Sequence, residues 1–256
     1  MTISTHLLST RFRIPGWVYA TLRAFLMISM PVFLVLTSVQ VVATEAFLRF
    51  EYNRADFPED RYGFTTKDRL EYGPYAVKYM KNDEDISYLG DLKSPDGKSP
   101  LYKPGELKHM EDVKAVSTTA FRLHLVLSVA LGVIALASLW TSTARRALRR
   151  GLRDGGLFTL MLIVTLVVLV VLSWDFFFDG FHDVFFDPGT WRFKTSDTLI
   201  RLYPERFWFD AAMTIGALTI SGALLAVFSG WYWERRADQR THSTPTQNGA
   251  ADDPVA

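Results

Sequence analysis

The sequence predicts an all-α polytopic membrane protein with four transmembrane helices and an extracytoplasmic cap formed by the first and third connections. Hydrophobic residues make up 49% of the 256 residues and charged residues 21%, which is ordinary for a soluble protein. The apolar residues nonetheless gather in four blocks, each long enough to cross a bilayer core, which takes about 20 residues. The charged residues lie mainly between these blocks, and this segregation indicates a membrane protein.

The first apolar block, at 17–44, follows a polar N-terminal segment at 1–16 that we expect to be cytoplasmic. A secretory signal peptide has a shorter apolar core, of roughly 7 to 15 residues, followed by a small-residue cleavage site. The block is therefore predicted to be a retained helix, TM1.

The first connection, 45–119, is polar, rich in tyrosine and full of turn formers. Proline and glycine within 94–98 predict a tight turn, because they supply the dihedral angles that a chain reversal needs. Weaker helical periodicity covers 67–80, with an interruption expected at Gly73 and Pro74. A helix is also predicted over 105–119, where apolar residues recur at helical spacing.

The rest of the chain alternates between two further connections and three apolar blocks. In order, we assign TM2 at 120–141, an arginine-rich cytoplasmic loop at 142–156, TM3 at 157–174, an extracytoplasmic loop at 175–206, TM4 at 207–233 and a disordered cytoplasmic tail at 234–256.

The arginines predict the orientation of these helices. Basic residues are in excess beside membrane ends in the N-terminal segment, in 142–156 and in the C-terminal tail. Cytoplasmic segments carry such an excess, so both termini are expected in the cytoplasm. The connections 45–119 and 175–206 then share the extracytoplasmic face.

Composition removes several classes of mechanism. The chain contains no cysteine, which excludes disulfides, a thiolate nucleophile and cysteine-ligated metals. A formal net charge of +1 gives no support for nucleic-acid binding. Two histidines and an acid can hold zinc, but no HExxH-type spacing favours it, and we expect neither a metal nor another cofactor.

Two histidines with carboxylate neighbours lie near membrane ends on the predicted extracytoplasmic face. His109 precedes TM2, and Asp112 would share its helical face. His182 follows TM3, with Asp183 beside it. Histidine titrates near working pH and a carboxylate can fix its tautomer, so the pair suits acid and base catalysis. The competing interpretation is that both are hydrogen-bonded structural residues.

The other three histidines rank lower. His6 and His242 lie in the predicted tails and are taken as inert. His124 lies close to the outer end of TM2, where a polar residue is a functional candidate, although the interfacial position also suits a structural role.

Aromatic and charged residues around His182 are secondary candidates. Aromatic residues of 174–186 and Trp191 are expected either in an interfacial belt or along a cleft for acyl chains. Asp197 and Glu205 are candidates too, although each also suits a salt bridge with a nearby arginine such as Arg192.

Two sequence motifs carry a resemblance to a known family. The segments 106–114 (ELKHMEDVK) and 181–186 (FHDVFF), followed by 191–193, 197–200 and 202–207, resemble the bacterial integral membrane family that contains the lipoprotein intramolecular transacylase, Lit. The family pattern is His-Met-x-Asp-Val-Lys before the second membrane helix and Phe-His-x-x-Phe-Phe after the third. The resemblance is weak over 50–100.

The resemblance implies an acyl shift within a diacylglyceryl lipoprotein in a bacterial cytoplasmic membrane. The sn-2 acyl chain would move to the α-amino group of the modified cysteine, with His109 and His182 as the acid and base. Which histidine plays which role stays open. The resemblance also implies contact with membrane phospholipid, and it ranks the following residues as supporting groups: Asp112, Asp183, Trp191, Arg192, Asp197 and Glu205.

Two other functional classes fit parts of the sequence. A non-catalytic membrane protein would bind lipid or a partner through its extracytoplasmic aromatic loop, and catalysis differs from it in requiring His109 and His182 to converge around a cleft. A small-solute transporter is disfavoured, because the spans hold few ionisable residues and no broken-helix repeat. The oligomeric state and the acyl-chain preference are not predicted.

Overall fold

The structure of the protein is a computed structural model that describes residues 15–242. Most of the predicted N-terminal segment, with His6, and the predicted tail beyond His242 lie outside the described residues. Regular structure in the described range is helical, apart from one isolated antiparallel bridge between Lys93 and Pro100. The helices are α1 (Gly16–Val42), α2 (Glu45–Tyr52), α3 (Thr66–Tyr79), α4 (Ser87–Gly90), α5 (Pro104–Trp140), α6 (Ser142–Leu172), α7 (Trp174–Phe185), α8 (Thr198–Leu202) and α9 (Glu205–His242).

Four of these helices, α1, α5, α6 and α9, are long and apolar enough to cross a membrane. This confirms the predicted all-helical membrane fold with four spans. Helix α5 joins the two helices predicted at 105–119 and 120–141 into one of 37 residues. At 1.5 Å per residue its length is about 55 Å, well beyond a hydrocarbon core of about 30 Å, so part of α5 must project from the membrane.

Glycines let the spans approach closely. Helix α6 packs against α1 and α9, and a Cβ atom added at Gly151 would lie 2.6 Å from Leu26 Cβ. One added at Gly156 would lie 2.7 Å from the Ala223 carbonyl oxygen. Small residues at such crossings are how membrane helices gain packing energy without a hydrophobic driving force.

The arginine-rich segment 142–156 forms the first turns of α6 rather than an irregular loop. The Thr141 hydroxyl caps this helix by accepting from Ala144 N at 3.2 Å. The arginines join neighbouring helices through ion pairs: Arg23 with Asp154, Arg150 with Glu234, and Arg153 with Asp154 and Glu234. The predicted tail likewise begins as helix, since α9 continues to His242.

The first and third connections meet at the other end of the bundle, in what we call the connecting layer, residues 43–103 and 186–204. Tyr52 donates through its hydroxyl to the Leu202 carbonyl at 2.9 Å, and the Arg69 guanidinium donates to the Arg201 carbonyl at 2.9 Å. A cluster of buried apolar side chains runs through this layer into the starts of α5 and α9. The two segments predicted to form a cap therefore pack on each other.

Within this layer the predicted turn is present, but the predicted helix interruption is not. Ser94 N donates to the Ser99 carbonyl at 2.9 Å, and Gly97 supplies a φ of +70°. Helix α3, in contrast, passes through Pro74 without a break. Tertiary contacts at Gly73 hold it, because the Tyr203 hydroxyl donates to the Gly73 carbonyl and the Tyr52 ring packs on its Cα side.

Candidate active site

The structure brings His109 and His182 together. His109 lies in the second turn of α5, and His182 lies near the end of α7, a helix within the segment predicted as a loop. The two imidazole centroids are 6.4 Å apart, with 26° between the ring planes. Residues 73 positions apart in the chain thus face each other, as the catalytic interpretation required.

Both histidines line one apolar cavity of about 360 Å³. Its walls come from α1, α3, α5, α7 and α9, and they are mainly aliphatic and aromatic side chains. Pockets of this kind, with a few polar groups among apolar walls, are typical of ligand sites. The arrangement places two titratable rings at the wall of a space suited to hydrocarbon.

The tautomer of His182 follows from one hydrogen bond. Its Nδ1 lies 2.7 Å from the Phe178 carbonyl oxygen, and because a carbonyl can only accept, Nδ1 must carry a proton. In the neutral ring, Nε2 then holds the free lone pair. Burial lowers the pKa of His182, although the Phe178 carbonyl and the carboxylates of Asp179 and Asp183 act in the opposite direction. His182 is therefore a neutral base with its lone pair on Nε2.

His109 is buried more deeply and lacks the carboxylate partner that the sequence suggested. Its side chain packs edge-on against Phe186, at 4.8 Å between ring centroids, and it is only 9% exposed. The carboxylate of Asp112 instead pairs with Lys108, at 3.1 Å. His109 Nδ1 has no hydrogen-bond partner among residues 15–242. Since an unpartnered buried polar atom costs roughly 1–3 kcal/mol, this nitrogen is ready to bind a ligand.

Glu106 positions the His109 helix, and the sequence analysis did not select it. Its carboxylate is 1% exposed and accepts hydrogen bonds from Lys103 N at 2.8 Å and Leu199 N at 2.7 Å. It thereby caps α5 and ties that helix to α8. Pro104 at the first helical position with a glutamate two residues later is a helix-start signature, and this signal pointed to Glu106.

Trp191 covers the other face of His182. The two rings stack at 4.6 Å between centroids and 30° between planes. The indole is 6% exposed, and its Nε1 finds no acceptor within the described part of the chain. The Arg192 guanidinium lies 4.6 Å from the centre of the Trp191 ring and pairs with Asp179 at 2.8 Å. Trp191 and Arg192 thus join the histidine pair.

The remaining predicted residues do not reach the pair. Asp197 pairs with Lys103 and accepts from Lys194 N at 3.0 Å, so it stabilises the start of α8. Those contacts hold the pKa of Asp197 low although burial opposes this. Asp183 and Glu205 are exposed. No group of three histidine or acidic residues in 15–242 is arranged to hold a metal ion.

His124 has a different environment from that of the pair. Its Nδ1 lies 2.8 Å from Gln40 Nε2 and its Nε2 lies 2.9 Å from Thr37 Oγ1. The ring stacks on Phe33 at 5.2 Å. Both nitrogens are satisfied between α1 and α5, which supports the structural interpretation of this residue.

Comparisons with known proteins agree with this architecture. The profile of the family described as "Lipoprotein intramolecular transacylase Lit" matches residues 24–208. An uncharacterized protein of Aquifex aeolicus (strain VF5) is 32% identical over 199 residues, which cover 75% of this chain and 85% of that protein.

Solved structures give the same result for the fold. The in meso structure of the membrane integral lipoprotein intramolecular transacylase Lit from Bacillus cereus superposes with a TM-score of 0.71 at 17% identity, covering 88% of this chain and 100% of that one. A structure of the same protein with a histidine-to-arginine mutation gives a TM-score of 0.66 at 16% identity, covering 88% and 96%. At this identity the likeness shows a shared fold.

Proposed function

The chain belongs to the lipoprotein intramolecular transacylase Lit family, and we propose that it moves the sn-2 acyl chain of a diacylglyceryl-cysteine lipoprotein to the α-amino group of the same cysteine. The product is an N-acyl, S-monoacylglyceryl lipoprotein. The observation that carries this proposal is the facing pair of His109 and His182, with the His182 tautomer fixed, at the wall of an apolar cavity.

In this reaction His182 is the base and carries the proton. The neutral cysteine amine attacks the ester carbonyl carbon, and His182 Nε2 takes a proton from the attacking nitrogen. The tetrahedral intermediate collapses, the bond to the glyceryl oxygen breaks, and His182 returns the proton to that oxygen. General acid and base catalysis of this kind contributes about 10²- to 10⁴-fold.

His109 is the second polar group, and its role is to hold the glyceryl oxygen by a hydrogen bond across from His182. The aliphatic and aromatic walls of the cavity exclude water and take the acyl chain. Because amine and ester belong to one molecule, positioning supplies much of the rate. No covalent acyl-enzyme is needed.

The same proposal places the connecting layer and the histidine pair on the extracytoplasmic side. The arginines of 142–156 lie at the opposite end of α6 from α7 and would be cytoplasmic. The chain has no cysteine of its own, so Lys98→Cys and Arg146→Cys each give one labelling site. A membrane-impermeant maleimide added to intact cells should label the first and not the second; the reverse pattern would overturn this orientation.

The activity is tested by co-expressing the protein with a test lipoprotein in a bacterial host that lacks N-acyltransferase and transacylase genes. Mass spectrometry of the N-terminal peptide should find an N-acylated, S-monoacylglyceryl cysteine in place of the diacylglyceryl form. If the peptide keeps its free amine while the protein is present in the membrane, the chain is not a transacylase and the lipid-binding or partner-binding alternative replaces it.

A further inference from the structure

Four buried side-chain polar atoms lack a hydrogen-bond partner within residues 15–242: Ser29 Oγ, Tyr102 OH, His109 Nδ1 and Trp191 Nε1. Only His109 and Trp191 of these four residues line the cavity. A buried donor without an acceptor is destabilising, and one beside a ligand site is satisfied when the right ligand binds. The indole N–H can only donate, so its missing partner must be an acceptor.

We propose that Trp191 Nε1 donates a hydrogen bond to the carbonyl oxygen of the substrate ester. This inference rests on the proposed function and adds to it the group that stabilises negative charge on that oxygen. When the amine attacks, the carbonyl π electrons move to oxygen, and they return when the glyceryl oxygen leaves. Trp191 transfers no proton in either step. A donor aimed at developing charge in a dry site is typically worth 10²- to 10³-fold in kcat.

The surroundings of Trp191 hold its ring still. His182 stacks on it, Phe178 meets it edge-on at 6.2 Å, and the Arg192 guanidinium lies over the ring. Arg192 is itself fixed by its ion pair with Asp179. A rigid donor needs little reorganisation during the reaction, which is the condition for strong electrostatic stabilisation.

The position of Trp191 also separates its task from those of the histidines. The indole shares a ring face with His182, the base, and an ester carbonyl carbon beside His182 Nε2 has its oxygen within reach of a neighbouring donor. Arg192 is the other donor nearby, but its side chain is 63% exposed and already paired with Asp179. Trp191 is the buried donor next to the base.

The test removes only the N–H. Trp191 is replaced site-specifically by β-(3-benzothienyl)alanine, which keeps the shape of indole and has sulfur in place of the N–H, and in parallel by Trp191→Phe. With a synthetic diacylglyceryl-cysteine peptide, kcat should fall about 10²-fold in both variants, while KM changes less than about threefold. Tyr102→Phe is the matched control, since it removes a buried unpartnered hydroxyl that does not line the cavity. This control should keep wild-type kcat and KM.

A second readout does not depend on turnover. An N-acetylated lipopeptide with a ¹³C-labelled ester carbonyl cannot accept the acyl chain, so it binds without reacting. Its carbonyl stretch should lie at lower frequency on the wild type than on the benzothienyl variant. Wild-type kcat or an unchanged stretch in the benzothienyl variant would overturn the assignment of Trp191. A shifted stretch with no transfer by the wild type would instead leave Trp191 as the donor and refute the transacylase activity.

Discussion

His124 and the pair of His109 and His182 occupy opposite kinds of polar environment in one chain. His124 has a partner on each ring nitrogen, whereas His109 Nδ1 has none in the described range. His182 is intermediate, since one nitrogen is bound by a backbone carbonyl that fixes its tautomer. Folding has thus satisfied the histidine between the spans and left the pair at the cavity with open hydrogen-bonding capacity.

This difference separates a structural histidine from a reactive one better than membrane depth does. A polar residue within a span is a functional candidate by default, and by that criterion His124 would outrank His109. Counting hydrogen bonds reverses the order, because a group that binds substrate must exchange partners easily. The predictions below test that contrast, from the largest expected effect to the smallest.

Removing the base should cause the largest loss. His182→Ala is expected to lower kcat by about 10³-fold, equivalent to about 4 kcal/mol of transition-state stabilisation. His109→Asn, which keeps a donor but moves it, should lower kcat by about 10²-fold. Both are measured with purified protein and synthetic lipopeptide. Activity within tenfold of wild type in His182→Ala would remove the base from this account.

Loss of the buried Glu106 carboxylate should act on stability first. Glu106→Gln leaves only one acceptor oxygen for Lys103 N and Leu199 N, which we expect to cost about 2 kcal/mol, or roughly 30-fold in the unfolding equilibrium. Thermal unfolding in detergent measures this, with the exposed Glu111→Gln as control. An unchanged melting temperature would show that Glu106 does not tie α5 to α8.

The pH dependence should reflect the substrate amine rather than His182. Burial lowers the pKa of His182 below its ordinary value, so this residue is already neutral where the amine, with a reference pKa of about 7.7–8.0, is still protonated. The rate should therefore rise about tenfold per pH unit from pH 6 to 7 and level off near pH 8. A hundredfold rise per unit near neutrality would mean that His182 is still losing its proton there.

Removing the satisfied histidine should have the smallest effect on the reaction. His124→Phe keeps an aromatic ring against Phe33 but leaves the Gln40 amide without its partner, at a cost of about 1 kcal/mol. Thermal unfolding should show this loss, and kcat should stay within about threefold of wild type. A drop of 10²-fold or more would place His124 in the catalytic machinery and erase the contrast.

The sequence alone predicted the helical membrane fold and the residues that meet at the cavity. Long apolar blocks predict spans because only backbone that satisfies itself can cross a bilayer. Continuous helix through Pro74 and through 142–156 was not predicted, because hydrogen bonds and ion pairs from distant segments stabilise both. Helix α7 was missed for another reason, since its aromatic residues point in several directions and show no clear apolar face.

At the site, local chemistry was predictable and partner choice was not. Asp112 has the spacing to orient His109, yet Lys108 is four residues away on the same helix and takes the carboxylate. The Phe178 carbonyl that fixes His182 leaves no signal in the sequence, because every residue has one. Unpartnered atoms such as His109 Nδ1 and Trp191 Nε1 become visible only in three dimensions.

The most direct test of the account is an isotope crossover experiment with purified protein. Two diacylglyceryl-cysteine peptides of different sequence are mixed, and only one of them carries a deuterated sn-2 acyl chain. Tandem mass spectrometry then locates the label. The account predicts that the deuterated chain moves to the α-amino group of the peptide that carried it and never to the other. Label on the second peptide, or label that stays on the glyceryl oxygen, would contradict intramolecular transfer at the histidine pair.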